Sequence, residues 1–173
     1  QRIENLAVQT DFFSKYEEFF SNPIQTKNSR TAFLAFPLLI KNTAPFSRRQ
    51  FQIFLEKRDI QTRVCFTGNV IRQPMAKGVK KRVAEAGYPN ADSIMRGGVL
   101  LPLHHGMTDQ MFQRLHETID QFIICNEILL LQIRIQQARG EQSSSTIKKP
   151  YTIVSKTFVN SENLLFAYDL KFL

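Results

Sequence analysis

Apolar and polar positions alternate along the chain in blocks of different period. Over residues 1–20, Ile3, Leu6, Thr10, Phe13, Tyr16 and Phe20 recur at three- and four-residue steps, which predicts a helix with one buried stripe. The polar stretch "SNPIQTKNSR" separates it from "TAFLAFPLLI", residues 31–40, a short apolar run that predicts a buried strand. Pro37 has no amide hydrogen, so its position falls at an edge or a bulge. Ser47, three residues before Gln50, predicts a capping box. The helix it opens runs to about Arg58 and buries Phe51, Phe54 and Leu55. "IQTRVCF" predicts a second strand. Residues 75–90 are basic and irregular, with a short helix expected near 79–86. "NADSIMRGG" predicts one or two helical turns, with Asn90 or Asp92 near their start and a stop at Gly97-Gly98. "VLLPLHH" predicts a third strand, broken by Pro102. Gly106 turns the chain, and Thr108 caps a helix with Asp109 in its first turn, set against the positive helix end. Met111, Phe112, Leu115, Ile119, Phe122 and Ile123 form the apolar face of that helix.

The order to residue 124 is helix, strand, helix, strand, loop, short helix, strand, helix. It predicts an α/β (α+β) domain with a small mixed or antiparallel sheet and helices packed on one face. Beyond Ile124 the character changes. "ICNEILLLQIRIQQ" extends the helix, "ARGEQSSSTIKKP" is polar and Ser-rich, and two strand-like runs flank Asn160-Ser161 as a hairpin. The expected organisation is a domain over 1–124 and an appended tail over 125–173.

Composition narrows the functional classes. The 173 residues suit one domain, or one domain with an appendage, and fifteen Phe with no Trp make an aromatic core. The net charge of +8 favours anionic partners. The densest basic cluster, Lys77, Lys80, Lys81 and Arg82, is of the kind that ordinarily forms a solvated face, so nucleic acid is not the expected partner. Cys65 and Cys125 have neither CxxC nor Cys/His spacing, which argues against a zinc site and a disulfide scaffold. His104, His105 and Asp109 give no metal-ligand spacing either, so no metal is expected. The N-terminus lacks an apolar signal core, and Asn126, Glu127, Gln132 and Arg134 interrupt the longest apolar stretch. The expectation is a soluble, cytoplasmic protein with no membrane span.

The segment "TRVCFTGNVIRQP", residues 62–74, gathers the most polar chemistry. Arg63 and Arg72 offer forked donors for phosphate or carboxylate oxygens. Asn69 both donates and accepts, and Gly68 permits a backbone that other residues resist. Two readings stay open: a set that handles a phosphorylated or sugar-like ligand, or a turn with solvated arginines. His104 and His105 close a predicted strand before a helix start, where free backbone amides make ligand sites common. They read equally as half-buried polar residues, and His116 reads as structural or exposed. Cys65 reads as a buried inert thiol rather than a nucleophile.

Three stretches carry a resemblance: "RIENL", "FPLLIKNTAPFSRRQFQIFLEKRDIQTRVCFTGNVIRQP" and "YPNADSIMRGGVLLPLHHGMTDQMFQRLHETIDQF". Over residues 1–124 the chain resembles the C-terminal small domain of the DegT/DnrJ/StrS family, pyridoxal-phosphate-dependent sugar aminotransferases and dehydratases of the aspartate-aminotransferase fold type. Cys65-Phe66 stands where simpler aminotransferases often carry a His-aromatic pair, and the motifs look most like the nucleotide-sugar 3-dehydratase branch of deoxysugar and lipopolysaccharide biosynthesis. The resemblance implies a nucleotide-sugar substrate, pyridoxal 5'-phosphate as cofactor, and a homodimer or a complementing large-domain chain. It implies that Arg63, Asn69 and Arg72 line the substrate cleft, with His104 or His105 at its edge. No lysine here stands in a Schiff-base motif; in the family that residue belongs to the large domain. The chain is therefore expected to be a C-terminal fragment, inactive alone and carrying no catalytic residue. The competing expectation is a non-catalytic module that binds an anionic partner.

Overall fold

Strands and helices are interspersed through residues 1–140, the part of the chain that the computed structural model describes. Four helices, α1 (Arg2–Ser14), α2 (Arg48–Glu56), α3 (Pro89–Gly97) and α4 (Asp109–Gly140), surround four short strands. The strands are β1 (Phe20–Ser21), β2 (Phe36–Ile40), β3 (Arg63–Val64) and β4 (Gly98–Leu101). They form one sheet in the order β1-β2-β4-β3, with every pairing antiparallel. The compact unit that holds them is Gln1–Arg134. The hairpin expected over 151–173 lies outside the described residues.

Alternation on β2 decides which face is inner. Phe36, Leu38 and Ile40 are buried, and the register sets Phe36 against Leu101 and Leu38 against Val99, both buried as well. Phenyl rings from three helices close over this face. Phe13 of α1 stacks on Phe36 with ring centres 5.4 Å apart. Phe20 of β1 meets Phe51 of α2 at 5.5 Å, and Phe51 meets Phe122 of α4 edge-on at 5.2 Å. Each fully buried Phe contributes about 1.5–3 kcal/mol relative to exposure.

Local signals in the sequence and tertiary pairing divide the element boundaries between them. The Ser47–Gln50 capping box forms: the Ser47 side chain accepts from the Gln50 amide, and the Gln50 side chain accepts from the Ser47 amide at 2.8 Å. Thr108 Oγ1 accepts from the Met111 amide at 3.3 Å and opens α4. Pro37 lies where the sheet leaves it unpaired on one side, because β1 reaches only Leu39 and Ile40.

Other expectations need correction. The first helix ends at Ser14, not near 20, and the chain turns so that Phe20 joins the sheet. Residues 31–35 are not strand. Pro102 ends β4 at Leu101, whose partner is Phe36, so residues before Phe36 have nothing to pair with. The second strand shrinks to Arg63–Val64. No helix forms over 79–86, whose residues are all exposed. The third strand stops before the histidines, so strand alternation does not govern where His104 and His105 point.

Candidate functional site

The loop after β3 is built against α3. Gly68 has φ of +62°, and a Cβ there would lie 2.4 Å from the Met95 Cβ of α3. Only glycine permits both the backbone and the approach. Asn69 is buried; its Oδ1 accepts from the Ile71 amide at 3.2 Å and opens a 3₁₀ turn, Val70–Arg72. Its Nδ2 donates to Asp92 Oδ1 at 2.7 Å. Arg72 forks onto the same carboxylate, with Nε on Oδ1 and Nη2 on Oδ2 at 2.6 Å. The Gln73 side-chain Nε2 donates to the Thr67 carbonyl at 2.8 Å. Asp92 is thus held well below the usual carboxylate range, at about 2, first by the Arg72 hydrogen bond and then by that of Asn69. The same bond pushes Arg72 up.

A second constellation is built around the start of β3. Thr62 is buried, and its amide and hydroxyl donate to Glu56 Oε1 at 2.9 and 2.7 Å. These bonds tie the start of β3 to α2 and lower the Glu56 pKa. Arg63 follows, exposed, and lines a cavity of about 460 Å³ with Leu34, Leu101, His104, Met107 and Arg114. Arg114 is already engaged: it donates to the Arg58 carbonyl at 2.7 Å and lies 3.6 Å from Asp59. Arg63 makes no hydrogen bond or ion pair among the described residues; the charge of Glu56 is its electrostatic neighbour. The Gly106 amide donates to His104 Nδ1 at 3.2 Å, which leaves Nε2 as the ring's outward donor. His105 is exposed in the adjoining turn.

The five residues singled out in the sequence therefore separate. Arg63 and His104 share a cavity, Asn69 and Arg72 share a carboxylate, and His105 stands at the turn beside His104. Asp92 was read only as a helix-start residue; its partners lie 20 and 23 residues earlier, a separation that no local pattern reports. Phe66 is a surface feature that its apolar character does not announce. It is 86% exposed, with a φ of +46° that non-glycine residues rarely adopt. Cys65 is half-buried with its pKa pushed up by that burial, consistent with an inert thiol.

Comparison with known proteins gives this arrangement a lineage. Residues 1–120 match the model of the DegT/DnrJ/EryC1/StrS aminotransferase family. The chain belongs to that family. One relative is the dTDP-4-dehydro-2,6-dideoxy-D-glucose 3-dehydratase of Saccharopolyspora spinosa, 34% identical over 101 residues, 58% of this chain and 22% of that protein. Another is the lipopolysaccharide biosynthesis protein RfbH of Salmonella typhimurium, 29% identical over 126 residues, 73% of this chain and 29% of that protein. The chain thus spans under a third of the length of either. Among solved structures, the E. coli GDP-4-keto-6-deoxy-D-mannose-3-dehydratase with bound hydrated PLP superposes with a TM-score of 0.56 at 19% identity, over 68% of this chain and 29% of that one. At that identity the likeness shows the shared fold.

DegT-family enzymes depend on pyridoxal phosphate. The cavity beside Arg63 is lined by no lysine, and the Arg72 guanidinium is taken by Asp92. The residues that line this cavity therefore offer no amine to carry the cofactor as a Schiff base. Among the described residues no helix is long and apolar enough to cross a membrane, and no His/Cys/Asp/Glu cluster could hold a metal.

Proposed function

We propose that residues 1–124 serve as the small domain of a pyridoxal-phosphate-dependent enzyme acting on a nucleotide-linked keto-deoxy sugar, by transamination or 3-dehydration. Catalysis then requires the cofactor-bearing large domain, on the same or a separate chain, within a homodimer. The observation that carries this reading is the convergence of Arg63 and His104 on one cavity in a chain of this family.

In this reading Arg63 forks onto diphosphate or sugar oxygens, and His104 Nε2 donates to a hydroxyl or carbonyl of the sugar. Leu34, Leu101 and Met107 supply an apolar wall that excludes water and strengthens those polar contacts. Asn69 and Arg72 hold the loop after β3 on α3, and His105 adjoins His104 in the turn. When bound to the large domain, pyridoxal phosphate supplies the electron sink; the residues here bind and orient the substrate.

The test joins residues 1–124 to the large domain of the Saccharopolyspora relative. The chimera should turn over a nucleotide sugar, and Arg63→Ala should raise KM at least tenfold, the loss of one charge-assisted contact of about 1.5–3 kcal/mol. A folded chimera whose kinetics ignore Arg63→Ala refutes the reading.

A further inference from the structure

Two amides are buried on α1. Asn5 is 2% exposed and Gln9 0%, one helical turn apart on one face. Each donates to a main-chain carbonyl of the segment that follows β4. Asn5 Nδ2 reaches the His104 carbonyl at 2.8 Å, and Gln9 Nε2 reaches the Pro102 carbonyl at 3.3 Å. Their oxygens are satisfied as well: Gln1 Nε2 donates to Asn5 Oδ1 at 3.0 Å, and His116 Nε2 lies 3.2 Å from Gln9 Oε1. The His116 ring is itself fixed, stacked on Phe12 at 3.8 Å with the planes 3° apart.

Burial of two amides on a core face needs a cause, because an unpaired buried polar group is costly. The cause is the segment they hold. β4 ends at Leu101, so the carbonyls of Pro102 and His104 have no strand opposite them. An apolar residue at position 9 would leave the Pro102 carbonyl without its donor, and one at position 5 would leave the His104 carbonyl only the longer 3.3 Å bond from the Met107 amide within its own turn, so the segment would lose its ties to α1 and be free to shift. This segment carries the His104 ring on the cavity rim.

We propose that Asn5 and Gln9 are positioning residues, which hold the 102–104 backbone so that His104 stays on the cavity, with His116 fixing the orientation of the Gln9 amide. The role rests on the reading of that cavity as the substrate site. The chemistry also sets a tautomer. The Pro102 carbonyl only accepts, so the Gln9 nitrogen faces it and the Gln9 oxygen faces His116. Neutral His116 must then carry its proton on Nε2.

Nuclear magnetic resonance on the full chain tests this. Long-range proton–nitrogen spectra of the wild type should show His116 protonated at Nε2; the Nδ1 form overturns the proposal without any variant. Asn5→Leu and Gln9→Met keep side-chain bulk and remove the donors. Each should move the His104 ring and Gly106 amide signals, and weaken binding of dTDP-glucose, used as the probe, about fivefold. A general loss of stability would lower the melting temperature and leave those native-state signals in place; that result, in either folded variant, overturns the proposal. A probe that moves the His104 signals in the wild type yet binds both variants equally well removes the positioning role alone. A probe that leaves the wild-type signals unmoved removes the substrate-site reading, and the positioning role with it.

Discussion

The loop over residues 67–73 and the rim of the cavity use the same residue types in opposite ways. In the loop, a guanidinium and two amides bond to groups within the protein: Arg72 and Asn69 to Asp92, and Gln73 to the Thr67 carbonyl. On the rim, Arg63 is exposed and makes no hydrogen bond or ion pair among the described residues, and only one nitrogen of His104 is taken. A polar group whose partners are internal fixes structure; one whose donors face solvent in a concavity is available to a ligand. Residue type alone does not separate the two roles, and a partner 20 residues away does.

Changes to the loop should therefore act on stability and changes to the rim on binding. The largest effect is expected at Gly68. Gly68→Ala adds a Cβ 2.4 Å from Met95 Cβ in a left-handed backbone, and should cost about 3 kcal/mol, read by urea unfolding. A loss under 1 kcal/mol would mean that the loop is not seated on α3.

Next in size, Arg63→Ala in the chimera should weaken substrate binding tenfold or more while stability stays within about 0.5 kcal/mol. Arg72→Lys should do the reverse, leaving binding within about twofold and loosening the loop, because lysine cannot make the two-pronged contact with Asp92. Exchange of those two outcomes would invert the contrast between the regions.

The pH profile gives a smaller signal. The Asp92 carboxyl sits at about 2 in the folded chain, below the roughly 3.9 of an unfolded aspartate. A depressed pKa stabilises the fold above the unfolded value, and that contribution disappears as pH falls from about 4 toward 2. Melting temperature followed over this window should fall less steeply in Asp92→Asn than in the wild type. The smallest effect is at Phe66, where Phe66→Asn relieves a left-handed phenylalanine and should stabilise by about 0.5–1 kcal/mol in the same unfolding assay.

Legibility in the sequence followed the range of the interaction. Ser47 with Gln50, and Thr108 before α4, act within one turn, and both caps form where their spacing predicts them. The apolar face of α2 is buried as its periodicity requires, and so is that of α4 except for Met111, which is 50% exposed at the cavity. Residues 31–35 failed as a strand although their composition suits one, because a strand needs a partner and Pro102 had ended β4. Leu34, expected in a buried strand, is 79% exposed and lines the cavity instead. Within the candidate site, the two arginines were visible as a pair of forked donors, but not that Asp92 would engage one of them and leave the other.

The sequence alone determined the caps of α2 and α4, most of their buried stripes, the antiparallel-compatible order of elements and the family motifs, since each depends on neighbours a few residues apart or on long contiguous runs. Tertiary structure decided which strands found partners, that Asn69 and Arg72 close on Asp92, and that Arg63, Leu34 and His104 meet around one cavity. Those outcomes depend on groups brought together from distant positions in the chain, where hydrogen-bond satisfaction and steric fit, rather than local period, select among the arrangements that the residue types allow.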